Sequence, residues 1–434
     1  MSMGLSSVGV RAMACATAWG AMAWLGAGAE AQVAVRARII HTMAGTPVRD
    51  GVVLVGADGK IERVGAGASV TIPEGYEVIE CAVLTPGLVD VRTTVGLTGM
   101  YNVDQDQDVL EPGAPMQPEL RAVDAYNPRE PLVGYIRSFG VTTVHTGHAP
   151  GALISGQTAI FKTRGDTVDA ALVKRDFAVT ATLGGGAMAG GDKSPGTRAK
   201  QVEMLREKLI KAQEFARKDA AKADDASEEG EGKDAKPPAR DLAMEALVDV
   251  LKGPNTKPLI ITANRAQDIA SALALGREFG ITVWLDMASE AYLLLDELRS
   301  DGGPVLLHPT MYRAWGETSN LSLETAKILA DAGITFAIES GYEGYVPKVR
   351  VVLFEAAAAA GYGGLGFERA LAAVTIIPAD ILGIADRVGS IEVGKDGDLA
   401  MYDGDPFEYT THCVGVLIEG ERFPGELEYE IKYP

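Results

Sequence analysis

Cysteine and histidine are both scarce in this chain. Three cysteines in 434 residues exclude a small disulfide-stapled scaffold. The five histidines are His41, His145, His148, His308 and His412, so few imidazole-based metal centres can be assembled. Basic residues are outnumbered: 40 Lys and Arg against 59 Asp and Glu leave a net charge of −19. That balance argues against unaided nucleic-acid binding, which needs a cationic surface. No phosphate loop, nucleophile elbow, CxxC pair or Gly-rich dinucleotide fingerprint is present. Past the N-terminus no run is apolar enough to span a membrane. Hydrophobic residues at 47% and charged residues at 23% exclude disorder throughout.

The first residues read as an address. Arg11 precedes a weakly apolar run from Ala12 to Gly28, and Ala29-Glu30-Ala31 supplies a small-x-small cleavage site. Residues 1–31 are therefore expected to be a signal peptide, cleaved near Ala31 to leave an exported, periplasmic or extracellular protein. A membrane anchor is the other reading. An oxidising compartment would permit a Cys81–Cys413 disulfide, and two buried apolar thiols are the alternative.

From Val33 to Leu84 short alternating strands are broken by Gly and Asp, and the texture returns after Gly397. Residues 32–86 and 386–434 are thus expected to build one composite β-domain from both chain ends. Between them, short apolar strands alternate with amphipathic helices, which signals a parallel sheet. Eight strands are expected: Leu88–Thr94, Val141–His148, Gln157–Lys162, Phe177–Thr182, Pro258–Asn264, Thr282–Met287, Pro304–His308 and Thr335–Ser340. The fold class is α/β, with a (β/α)₈ TIM barrel over residues 87–385; a doubly wound open sheet is the alternative, though no Gly-rich dinucleotide fingerprint follows the first strand. Residues 218–240 lack large apolar side chains and mix both charges, so a disordered or solvated insertion, or a frayed helix extension, is expected there.

Several stretches resemble the amidohydrolase superfamily, and its imidazolonepropionase-like branch. Thr85-Pro86-Gly87-Leu88-Val89-Asp90 is similar to that family's entry into the first barrel strand. Leu120-Arg121-Ala122-Val123-Asp124-Ala125-Tyr126-Asn127-Pro128, Gly140-Val141-Thr142-Thr143-Val144 and Ile154-Ser155-Gly156-Gln157 follow in order. Val388-Gly389-Ser390-Ile391-Glu392-Val393-Gly394-Lys395-Asp396-Gly397-Asp398-Leu399 matches best. The resemblance implies a barrel with a β-sandwich made of both chain ends, and a site at the barrel mouth. It also implies hydrolysis of non-peptide C–N bonds, such as those of a cyclic amide or imidazolone, with zinc as the usual cofactor.

The residues that would hold that zinc are not here. Arg92 and Thr94 stand at the two His positions of the first strand, in Asp90-Val91-Arg92-Thr93-Thr94. The fifth strand offers Thr262-Ala263-Asn264-Arg265 in place of a His pattern, and the sixth offers Asp286-Met287-Ala288-Ser289-Glu290. Gly341 takes the place of the eighth-strand Asp, with Glu339 two residues earlier. A guanidinium about 4 Å from a dication, at an effective dielectric of about 20, repels it by roughly 8 kcal/mol, and Arg cannot deprotonate to escape. No metal and no cofactor are therefore expected. Arg92 would instead bind a carboxylate, either Glu339 or one on an acidic ligand.

The expected ligand pocket comprises Arg92, Thr94, Lys162, Thr262, Asn264, Met287 and Glu339. Lys162 could alternatively serve as a plain ion-pair partner. Without metal, the acid–base candidates are His145, His308 and Glu339. The functional expectation is a non-catalytic member of the family. It would bind a small acidic or amide ligand, or assemble with a second copy or an intact relative. An active C–N hydrolase with an atypical or metal-free site, and a pure scaffold with a filled mouth, are the rivals.

Overall fold

The computed structural model describes residues 32–101, 103–189, 195–228, 240–253, 256–344 and 351–425; the expected signal peptide lies outside them. The chain opens with four strands: β1 (Val33–Ile40), β2 (Val48–Val55), β3 (Ile61–Ala66) and β4 (Glu77–Pro86). Next come β5 (Leu88–Thr93), β6 (Val141–Thr146), β7 (Ile154–Gln157), β8 (Ala159–Lys162) and β9 (Leu172–Lys174). Then follow β10 (Val179–Thr182), β11 (Leu259–Ala263), β12 (Val283–Met287), β13 (Val305–Leu307) and β14 (Phe336–Ile338). The last three are β15 (Leu399–Tyr402), β16 (Cys413–Ile418) and β17 (Glu421–Pro424).

Strands from both chain ends share one sheet, in the order β17-β16-β15-β4-β1-β2-β3. The hydrogen bonding is continuous across all seven strands. The join is β4, which pairs with β1 along most of its length and with β15 at its end. One apolar cluster takes Val35, Val53 and Ile61 from one half of the sheet and Leu399, Met401 and Leu417 from the other. Cys81 and Cys413 are free thiols, and burial pushes both up to about 12.

All eight strands expected in the middle of the chain are present. They lie in a six-stranded sheet, β14-β13-β12-β11-β10-β7, and a four-stranded sheet, β5-β6-β8-β9. β10 to β14 run parallel, as do β5 and β6. Helices Ala266–Phe279, Leu295–Asp301 and Thr325–Asp331 make the crossovers from β11 to β14. The third expected strand departs from the all-parallel expectation. Expected as Gln157–Lys162, it is β8 with the last residue of the preceding β7; β7 runs antiparallel to β10 and β8 antiparallel to β6. Only residues 147–153 connect β6 to β7, and a parallel return needs a crossover of about a dozen residues or more.

Two seams link the sheets. Thr158 alone separates β7 from β8; its N–H donates to the Ala178 carbonyl (2.9 Å) and its carbonyl accepts from Phe177 N–H (2.7 Å). On the far side, Gly341 N–H donates to the Arg92 carbonyl at 3.1 Å, tying the end of β14 to β5.

The strands are apolar on both faces, which is why they read as continuous hydrophobic runs. Leu259, Ile261, Leu285, Val305, Leu307, Phe336 and Ile338 pack into one cluster with the helices. Ile260, Leu306 and Ala337, with Trp284 against them, pack into another with Val89, Val91 and Ile160.

The low-complexity stretch starts as helix: residues 218–228 extend the helix Arg198–Glu228. Ala, Lys and Glu carry it, since each is a good helix former. Residues 229–239 lie outside the described residues. Among the described residues no helix is long and apolar enough to cross a membrane.

Candidate functional site

A strand repeats every two residues, so the side chains two places beyond an apolar layer face the same way. Beyond Ile260, Trp284, Leu306 and Ala337 come Thr262, Asp286, His308 and Glu339. These four, with Arg92 from β5, form a polar layer beyond that cluster at the C-terminal ends of the parallel strands, and none is more than 5% exposed. β12 ends abruptly here. Met287 and Ala288 both have positive φ, 65° and 51°, which side chains other than glycine rarely adopt and which stores strain.

Arg92 is the cation of the layer. Its Nη1 donates to the Thr93 carbonyl at 2.6 Å and its Nη2 donates to the His148 carbonyl. Its Nε lies 3.7 Å from Asp286 Oδ1. The expectation that Arg92 would pair with Glu339 is thus corrected, because Asp286 faces it more closely. Asp286 also accepts from the Thr262 hydroxyl. Glu339 accepts from Met287 N–H at 3.3 Å. Burial first, and then the neighbouring Asp286, hold the Glu339 carboxyl well above its usual range. Behind it, Asp90 is pushed up to about 6 by burial, against the pull of hydrogen bonds from Ser340. Among the described residues, Arg92 Nε, Thr94 Oγ1, Asp286 Oδ1 and Glu339 Oε2 are buried without a hydrogen-bond partner.

A second charged cluster adjoins the first. His308 Nε2 lies 3.2 Å from Glu343 Oε1, and its Nδ1 faces the Glu339 carbonyl at 3.3 Å. Arg313 reaches in from the following loop, with Nε 2.7 Å from Glu343 and Nη2 2.6 Å from Glu355. Glu355 sits in the first turn of the helix Val352–Gly361 and accepts from the Thr310 amide and hydroxyl. Burial works against the His308 imidazolium, but Glu355 and Glu343 outweigh it and raise the pKa. Burial likewise opposes the Glu355 carboxylate, yet His308, Arg313 and Thr310 hold it below its usual range.

Three expected site residues stand elsewhere or are already engaged. Lys162 is in no contact with Arg92. Because β8 runs antiparallel, its C-terminal end points away from the mouth, and Lys162 pairs with Asp396 (3.2 Å) and Asp398 (2.7 Å). His145 has both ring nitrogens committed, to the Val91 carbonyl (2.6 Å) and the Thr158 hydroxyl (2.7 Å). Burial, with Arg92 nearby, lowers it to about 3, so it is a neutral structural histidine. Asn264 turns to Ser289 Oγ (2.9 Å) and Met287 Sδ (3.7 Å) rather than to Arg92. Asp286, Arg313, Glu343 and Glu355 were not expected. Asp286 was legible from its register with Thr262; the other three come from loops and a helix with no periodic signal. An open cleft of about 570 Å³, lined by Arg38, His41, Arg49 and Phe367 among others, lies apart from these charges.

The amidohydrolase family model matches residues 261–423. An amidohydrolase from Thermotoga maritima has the same fold over 90% of this chain and 100% of its own, with a TM-score of 0.80 and 27% identity. Family model and solved structure alike are of the amidohydrolase superfamily, and that is what this chain resembles. It is 27% identical over 362 residues to amidohydrolase tasK of Hapsidospora irregularis, covering 78% of this chain and 36% of that protein. It is 30% identical over 125 residues to an imidazolonepropionase of Thermoplasma volcanium, covering 28% and 30% respectively. The chain thus spans about a third of the length of these curated relatives.

A zinc ion at the superfamily's usual place does not fit the side chains present. The guanidinium of Arg92 is packed there, held by backbone carbonyls and Asp286. The Thr262 hydroxyl is spent on Asp286. At Gly341 a Cβ would lie 2.9 Å from the His308 ring, and φ is +62°, so no Asp ligand can stand there. Carboxylates, hydroxyls and a fixed cation replace the imidazole donors that zinc prefers.

Proposed function

We propose that this is an exported, non-catalytic amidohydrolase-superfamily protein whose metal centre has been replaced by an internal arginine. Its two central sheets would close through the Thr158 and Gly341 seams into one barrel over residues 87–385. Residues 32–86 and 386–434 would form the companion β-domain. The observation that carries this reading is the buried contact between Arg92 and Asp286, a cation built into the chain where the superfamily holds a dication.

The role left to such a mouth is binding. Arg92 Nε and Thr94 Oγ1 offer donors, while Asp286 Oδ1 and Glu339 Oε2 offer acceptors. Buried groups of this kind call for partners. A small amide supplies both, through its carbonyl and its N–H; an acidic ligand would use the donors alone. Assembly with a second copy or an intact relative is the other role in keeping with a silent site.

The test has two parts. Metal content of the mature chain after zinc incubation with a chelator wash should show no ion dependent on Arg92. A thermal-shift screen of primary amides, lactams and dicarboxylates should find a stabilising ligand whose effect disappears in Arg92→Met. Screening without one stabilising compound, and without a co-purifying partner, would count against binding. N-terminal sequencing of the secreted protein should begin at Gln32.

Glu339 supports one rival, a metal-free hydrolase. Burial and the neighbouring Asp286 strengthen the hold of the Glu339 carboxyl on a proton, as acid–base catalysis requires. Chelator-resistant hydrolysis of amides or lactams that is lost in Glu339→Gln would establish it.

A further inference from the structure

His308, Glu343 and Glu355 are buried, and one ligand atom from each lies within 4.8 Å of the others. They come from the end of β13, the segment after β14 and the first turn of the helix Val352–Gly361. One imidazole and two carboxylates are a donor set for a borderline divalent ion such as zinc or manganese. The imidazole is also turned for this use. Its Nδ1 faces the Glu339 carbonyl at 3.3 Å, leaving Nε2 toward the carboxylates. A metal-bound histidine is usually oriented by such a backbone partner. Glu355 is likewise held in place by the Thr310 amide and hydroxyl.

A cation already stands among these donors. Arg313 places Nε on Glu343 and Nη2 on Glu355. It belongs to a loop whose neighbouring side chains, Tyr312 and Trp315, are 73% and 81% exposed. The arginine therefore enters the buried cluster from solvent and has a way back out.

We propose that His308, Glu343 and Glu355 form a divalent-metal site, distinct from the superfamily's usual one, in which Arg313 is a displaceable stand-in for the ion. Tetrahedral ligands around zinc stand about 3.3 Å apart, so the three donors need only a small closure. Binding would expel the guanidinium and release the loop that carries Tyr312 and Trp315. The site does not involve Arg92, so its failure would leave the proposed loss of the usual metal centre untouched.

The experiment is calorimetric titration of the chelator-treated full mature chain with zinc alone. Arg313→Ala should bind one equivalent at least about tenfold more tightly than the wild-type chain, a difference of about 1.4 kcal/mol. Adding His308→Gln or Glu343→Gln to that variant should abolish the binding, with the circular dichroism spectrum unchanged. Two substitutions at different ligands guard against a folding defect in either one. In the wild-type chain, saturating zinc should speed tryptic cleavage after Arg313, because the freed side chain becomes available to the protease. Failure of Arg313→Ala to bind zinc, or retention of zinc in both double variants, would overturn the site. Zinc binding to the wild-type chain with unchanged cleavage would overturn the displacement.

Discussion

Replacing Arg92 with methionine tests whether its charge holds the core together. The guanidinium Nε is 3.7 Å from Asp286 Oδ1. At an effective dielectric of about 20, that separation is worth about 4.5 kcal/mol of attraction. Glu339, the other carboxyl beside Asp286, is held well above its usual range by burial first and then by Asp286. Arg92→Met therefore leaves the Asp286 charge buried and unpaired, and removes the donors to the Thr93 and His148 carbonyls. Removing one partner of a buried pair typically costs about 3–5 kcal/mol, and urea unfolding at pH 7 should show a loss of that size. The same substitution in an Asp286→Asn background should cost only about 1–2 kcal/mol, from the lost hydrogen bonds. The double-mutant cycle then gives a coupling of about 2 kcal/mol or more. A coupling below about 0.5 kcal/mol would refute the idea that Arg92 serves as the internal counter-charge.

Three other outcomes are expected. His145 is lowered to about 3 by burial and Arg92, so between pH 6.5 and about 4 the unfolded chain takes up a proton that the folded chain refuses. The stability advantage of the wild type over His145→Gln should then fall by about 1.4 kcal/mol per pH unit on acidification across that window; a constant difference in urea titrations would contradict it. Lys162→Met should cost about 3 kcal/mol in urea unfolding, because Asp398 loses its close cation while Asp396 keeps Lys60 and Arg387; Asp398→Asn in that background should restore most of the loss. The double variant Arg92→His/Thr94→His should show no zinc-dependent amide hydrolysis, since Asn264, Met287 and Gly341 still offer no ligand, and measurable turnover would sink that expectation.

Strand positions were legible because both faces of each strand are buried, which leaves uninterrupted apolar runs such as Leu259-Ile260-Ile261. Strand direction was not in those runs. It was in the connection, where His148-Ala149-Pro150-Gly151 cannot become a crossover helix. Reading that loop would have turned β8 round and moved Lys162 away from the mouth. Arg92 and Glu339 were legible because the family pattern marks their positions, but their partner was not. Asp286 fills the gap because period two aligns it with Thr262 across the ladder, whereas the motif drew the eye to Met287. Arg313, Glu343 and Glu355 meet only through tertiary folding, and no spacing along the chain announces them.

The two charge clusters also explain why the departures from the superfamily pattern hold together. Arg92 alone among buried carboxylates would be unremarkable. It stands where Thr262 can donate to Asp286, where burial and Asp286 hold the Glu339 carboxyl well above its usual range, and where a glycine at 341 makes room for the His308 ring. A histidine at 92 would strip Asp286 of its counter-charge without supplying a metal. An acid at 341 would collide with His308 before it could ligate one. Each single substitution toward a metal ligand at these positions therefore disturbs a buried contact at a cost of about a few kcal/mol, a large share of the roughly 5–15 kcal/mol that holds a domain folded. The coupling among Arg92, Asp286, Glu339 and Gly341 thus gives the site a physical reason to stay as it is.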